Sequence, residues 1–86
     1  MKDKNGIYYY PFADNKSIRM YVRNSNNTIE FRLWKSDDPD LWETHGWIPY
    51  EAVQAAIQMY NPEKGGGFDP AYVYDLEIAK SILKEI

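Results

Sequence analysis

The three arginines of this chain, Arg19, Arg23 and Arg32, fall within two neighbouring stretches, 18–23 and 29–34, with Tyr21 and Trp34 among them. Guanidinium groups beside aromatic surface are equipment for gripping carboxylates, phosphates, bases or another protein. That is binding chemistry, and no catalytic signature accompanies it. His45 is the sole histidine. A catalytic histidine needs a nucleophile or an orienting carboxylate at its side, and nearness in sequence to Glu43 does not supply one. The residue reads as a polar loop histidine ahead of a turn at Gly46.

The same loop, 36–47, carries Asp37, Asp38, Asp40 and Glu43. Their spacing fits no calcium loop, because acidic or amide residues at every second position followed by a turn glycine are missing. Asp38-Pro39 reads instead as a cap and first-turn pair for a short helical turn through Leu41 and Trp42. Lys64-Gly65-Gly66-Gly67 lacks the Gly-Lys-Ser/Thr ending of a phosphate-cradling loop and reads as a linker. No metal and no cofactor are expected. Trp34, Trp42 and Trp47 bracket the acidic loop, where their large apolar area extends a small core and pins the loop.

These side chains need strands to position them. Ile18, Met20 and Val22 alternate with Arg19, Tyr21 and Arg23, and Ile29, Phe31 and Leu33 alternate with Glu30, Arg32 and Trp34, the two-residue period of β-structure. Asn24-Ser25-Asn26-Asn27 is a turn by composition. Centring it on Ser25 and Asn26 pairs Val22 with Ile29, Met20 with Phe31 and Ile18 with Leu33. It also sets Arg19 across from Arg32, an unfavourable pair unless a negative group lies between them. Upstream, residues 6–12 form a third strand, with Ile7 opposite Val22 and Tyr9 opposite Met20, and Pro11 assigns that strand to the edge. One face of the meander is then aliphatic. The other displays Tyr8, Tyr10, Phe12, Arg19, Tyr21, Arg23, Glu30, Arg32 and Trp34.

Helical spacing follows. Pro49 suits the first turn of a helix reaching to about Tyr60, with Val53, Ala56, Ile57 and Tyr60 on one stripe. Asn61-Pro62 and the glycines end it. The last helix starts from Asp69-Pro70 or from Asp75 and carries Leu76, Ile78, Ala79, Ile82, Leu83 and Ile86. The expected fold is α+β, a three-stranded antiparallel meander followed by two helices packed on one face.

With 86 residues, the chain forms a single domain, 1–86, whose core is small. Eight tyrosines, three tryptophans and three phenylalanines make it rich in aromatics. It has no cysteine, hence no disulfide framework or thiol chemistry. It also has no apolar stretch of spanning length. A soluble cytoplasmic protein that makes no use of a membrane is expected. The net charge of -3 hides a division. Residues 1–35 hold seven basic side chains against three acidic ones, and residues 36–86 hold three against ten. Such a molecule attracts another copy of itself, and its basic part attracts anions.

The functional expectation is a non-enzymatic module that forms a homodimer or docks on a protein partner through Tyr8, Tyr10, Arg19, Tyr21, Arg23, Arg32 and Trp34. The alternative is single-stranded nucleic acid on the same face, with bases stacked on Tyr8, Tyr21 and Trp34. A small hydrolase using His45 with Asp37 or Asp40 stands third.

Overall fold

Asn26 and Asn27 reverse the chain at the tip of its longest hairpin, in a computed structural model that describes residues 2–60 and 73–84. Both hold positive φ, 53° and 66°, as a two-residue type I′ turn requires and as asparagine tolerates. The turn therefore centres on Asn26-Asn27 rather than on Ser25-Asn26, and the expected register is corrected by two residues. Val22 pairs with Phe31, Met20 with Leu33 and Ile18 with Lys35. A shift of two leaves every side chain on its expected face, because strand side chains alternate with a period of two. It changes the partners. Arg19 faces Trp34, Tyr21 faces Arg32 and Arg23 faces Glu30, so the like-charge pair expected from the sequence does not form.

Among the described residues the sheet has five strands, two more than expected: β1 (Lys2–Asp3), β2 (Gly6–Tyr9), β3 (Ile18–Ser25), β4 (Thr28–Lys35) and β5 (Ile48–Pro49). Each pairs antiparallel with its neighbour in sequence. β2 meets β3 in the expected register, Ile7 with Val22 and Tyr9 with Met20. It ends at Tyr9, ahead of Pro11, instead of running to Phe12. It is also not the edge strand, since β1 lies outside it.

Three helices complete the described fold: α1 (Pro39–His45), α2 (Tyr50–Met59) and α3 (Leu76–Leu83). Asp38 occupies the cap position of α1 without a side-chain bond to the backbone. α2 starts after Pro49 and leaves Tyr60 just beyond its end. Asp75, of the two expected starts, caps α3 by accepting a hydrogen bond from the Ile78 amide at 3.1 Å. The other start at Asp69-Pro70, the Asn61-Pro62 stop, the Lys64 to Gly67 linker and Ile86 lie outside the described residues.

The two longer helices expected from the sequence share one face, and the short helical turn expected through Leu41 and Trp42 forms a third helix on the other. α2 and α3 cover the aliphatic face, where Tyr9, Met20, Val22, Phe31, Val53, Val73 and Ala79 form the buried core. Ile57 packs against it, whereas Ala56 is exposed. Tyr9 is the polar exception inside. Its hydroxyl donates to the Val73 carbonyl at 2.6 Å and accepts from the Asp75 amide at 2.9 Å, which ties β2 to the start of α3. Burial pushes this phenol well above its ordinary value, and burial likewise raises Tyr74. α1 packs on the opposite face through Trp42, whose ring meets that of Tyr21 edge-on at 5.1 Å.

Candidate functional site

Strand alternation places Tyr8, Arg19, Tyr21, Arg23, Arg32 and Trp34 on the same side of the sheet, and Tyr10 follows immediately after β2. The structure brings them together as three cation–ring stacks. The Arg19 guanidinium lies 4.7 Å from the ring of Tyr8 and 4.7 Å from the ring of Trp34, between the two. Arg32 stacks on Trp42 at 3.9 Å, and Arg23 on Trp47 at 4.3 Å. Stacking leaves the edges of each guanidinium available for hydrogen bonds, and these edges are used internally. Arg19 Nη1 donates to Asp3 Oδ2 at 2.9 Å and to the Tyr21 hydroxyl at 3.2 Å. Arg32 gives Nε and Nη2 to the Trp42 carbonyl at 3.0 and 2.7 Å. Arg23 Nε meets Glu30 at 2.6 Å.

The rings vary in exposure. Tyr21 is 1% exposed and Tyr8 8%, both shielded within the single chain. The expectation that these two stand open to solvent is thereby corrected: α1 and the tryptophans cover the face that the sequence pattern left outward. Tyr10, Trp34, Trp42 and Trp47 remain half-buried, and Arg23 is the most open of the arginines, with 47% of its side chain accessible. Tyr8 contacts Tyr10 at 5.6 Å and Tyr21 at 5.1 Å, and Trp42 contacts Trp47 at 6.4 Å, so the aromatic layer is continuous.

Asp3, Trp42 and Trp47 complete this layer without having been among the expected binding residues. The tryptophans do what their position around the acidic loop suggested, pinning it to the sheet. Asp3 gave no signal, because a carboxylate in a two-residue strand has no periodicity to place it. The Tyr21 hydroxyl and Arg19 Nη1 both donate to its Oδ2, while the Asn5 amide donates to Oδ1 at 2.8 Å. Desolvation works to raise the Asp3 carboxyl, but the Tyr21 hydroxyl, the Asn5 amide and the Arg19 charge outweigh it and hold the group below its ordinary value. Burial, then the bond to Asp3, raises Tyr21. The hydrogen bond with Tyr10 and burial together raise Tyr8.

The acidic loop is placed differently from the arginines. Asp37, Asp38, Asp40 and Glu43 are all exposed, and none pairs with the three guanidinium groups. Among the described residues no cluster of histidine and carboxylates could hold a metal ion. His45 is exposed in the last turn of α1. Two grooves of about 240 and 270 Å³ lie on the other side of the molecule. They flank Ile29 and share Lys80, and they include none of the arginine–aromatic residues. No helix among the described residues is long and apolar enough to cross a membrane.

Comparison with known proteins finds no matching family model, no matching curated protein and no matching solved structure.

Proposed function

We propose that this chain is a non-enzymatic interaction module that docks on a protein, a second copy of itself included, through the arginine–aromatic face of its sheet. The row of three guanidinium–ring stacks carries this reading. Arginine, tyrosine and tryptophan are the residue types that dominate binding energy at protein interfaces. Here they are already ordered by internal bonds, so little side-chain freedom remains to be lost on docking. Arg23 is exposed, Tyr10, Arg19, Arg32 and Trp34 are accessible in part, and Tyr8 and Tyr21 are buried among them. The exposed carboxylates of residues 37–43 lie beside this layer and offer charge of opposite sign to the same partner. A cytoplasmic location belongs to this proposal and rests on the absence of cysteine.

Sedimentation at high micromolar concentration tests the homodimer, and a monomer there removes it. Arg23→Glu combined with Trp34→Ala tests the face itself. The pair is expected to weaken association by at least about tenfold in low salt while the fold is retained. Unchanged association rejects the face. Arg19 and Arg32 are unsuited to this test because their guanidinium groups hold internal bonds whose loss would disturb the fold itself. Single-stranded nucleic acid on the same face draws less support, since Tyr8 and Tyr21 lie beneath other groups and offer no open ring to a base.

A further inference from the structure

The lysines of α3 stand apart from the arginine–aromatic layer. Lys80 and Lys84, four residues apart and so on one side of the helix, are both exposed along a groove of about 240 Å³ that Asn24, Ile29 and Leu83 complete. Ile29 and Leu83 are half-buried and give this groove an apolar floor, while two ammonium groups and an amide form its rim. Among the described residues no carboxylate lines it, and neither lysine has an ion-pair partner. The neighbouring groove across Ile29 contains Glu51 and is the poorer receiver of negative charge. The complementary group is the run Asp37-Asp38-Pro39-Asp40-Leu41 at the start of α1. Its three carboxylates are exposed without ion pairs among the described residues, and Leu41 is accessible in part. The two surfaces cannot meet within one chain. α1 lies on the Tyr21 face of the sheet and α3 covers the aliphatic face, so the sheet stands between them.

We propose that the groove of Lys80 and Lys84 receives the acidic segment 37–41 of a second copy of this chain, in a head-to-tail contact. The inference rests on the docking reading above for its partner, a second copy, and names the surface which that copy presents. Ion pairs at exposed lysines contribute little alone. Apolar contact of Leu41 with Ile29 and Leu83 therefore supplies the affinity, and the charges set orientation and exclude the wrong partner. Because groove and segment lie on opposite sides of the molecule, two copies cannot make both contacts at once. Each pair keeps one free groove and one free segment, so assembly continues into larger species until a ring closes. A two-fold dimer through the arginine–aromatic face stops at two.

Sedimentation of the full chain at high micromolar concentration in low salt is expected to show species beyond a dimer, which diminish as salt is added. A monomer, or a dimer that grows no further, overturns the contact. Lys80→Gln with Lys84→Gln neutralises the groove, and Asp37→Asn with Asp40→Asn neutralises the segment. Each doubly substituted chain is expected to self-associate at least about tenfold more weakly than the wild type. Mixed in equal amounts, the two are expected to regain association and to stop at a dimer, because such a pair holds one intact contact and ends in two neutralised surfaces. Both variants keep a net negative charge, so general attraction between them cannot imitate this result. A mixture no more associated than its components overturns the head-to-tail contact. The readouts separate the two proposals: association lost in the Arg23→Glu and Trp34→Ala chain but kept in both neutralised variants removes the groove alone. Association lost in the neutralised variants but kept in the Arg23→Glu and Trp34→Ala chain removes the arginine–aromatic face and upholds the groove.

Discussion

The two faces of the sheet are stabilised by different physics. On one, Met20, Val22 and Phe31 meet Val53 and Ala79 in a layer closed by area removed from water, with the Tyr9 hydroxyl bridging to Val73 and Asp75. On the other, the rings of Tyr8, Tyr21, Trp34, Trp42 and Trp47 are interleaved with guanidinium groups that hydrogen-bond Asp3, Glu30 and a carbonyl. Apolar burial is indifferent to pH and only weakly affected by salt. A layer built on charges responds to both. The contrast separates a face held by apolar burial from a face held by charge and ring stacking.

The largest effect is expected on the first face. Phe31→Ala removes a fully buried ring from the centre of the core and should cost about 3 to 5 kcal/mol in urea unfolding. That is a large part of the stability of any small domain. A loss below about 1 kcal/mol would contradict the placement of the core. Tyr9→Phe is expected to come next, at about 1 to 3 kcal/mol, because the Val73 carbonyl and the Asp75 amide lose their partner. Since burial raises the Tyr9 phenol above its ordinary 10.0, its contribution is complete below that pH and is lost as pH rises through the folded value. The alkaline fall in stability should therefore be shallower in the phenylalanine variant.

The second face gives smaller effects of a different kind. Asp3 is held below its ordinary 3.8, so its contribution is complete above that pH and disappears as pH falls through the lowered folded value. Asp3→Asn should flatten the acid limb of the stability curve below about pH 4 while changing the alkaline limb little. Identical acid limbs in the two proteins would detach Asp3 from the arginine layer. Arg23→Gln is expected to have the smallest consequence, under about 1 kcal/mol and shrinking with added salt, because its partnership with Glu30 is solvent-exposed. An effect as large as that of Phe31→Ala would mean that the two faces are not physically distinct after all.

What the sequence made legible follows from period and length. Alternation over residues 18–34 assigned each side chain to the correct face, and the Ile7 and Tyr9 pairings followed from the same pattern. Alternation cannot select among registers that differ by two, so the partners depended on the turn. There, Asn27 rather than Ser25 takes up the positive φ beside Asn26. Lys2–Asp3 and Ile48–Pro49 escaped notice because two residues carry no periodicity, and proline is a poor advertisement for a strand. The cover over Tyr21 was hidden for another reason. Trp42 reaches it from a helix of seven residues whose apolar positions are too few to indicate a face. The internal partners of the arginines were invisible because charge composition counts groups without placing them.

Strand order β1-β2-β3-β4-β5 means that every pairing is between strands adjacent in sequence, the first three as hairpins and the last across α1, which favours rapid folding. The bonds from the Tyr9 hydroxyl span 64 and 66 residues and close a far longer loop. Docking of α3 is accordingly expected late in the process, after the barrier has been crossed. Stopped-flow measurements on Tyr9→Phe would then show faster unfolding with refolding almost untouched, so that one hydroxyl sets how long the folded chain lasts and scarcely how soon it forms.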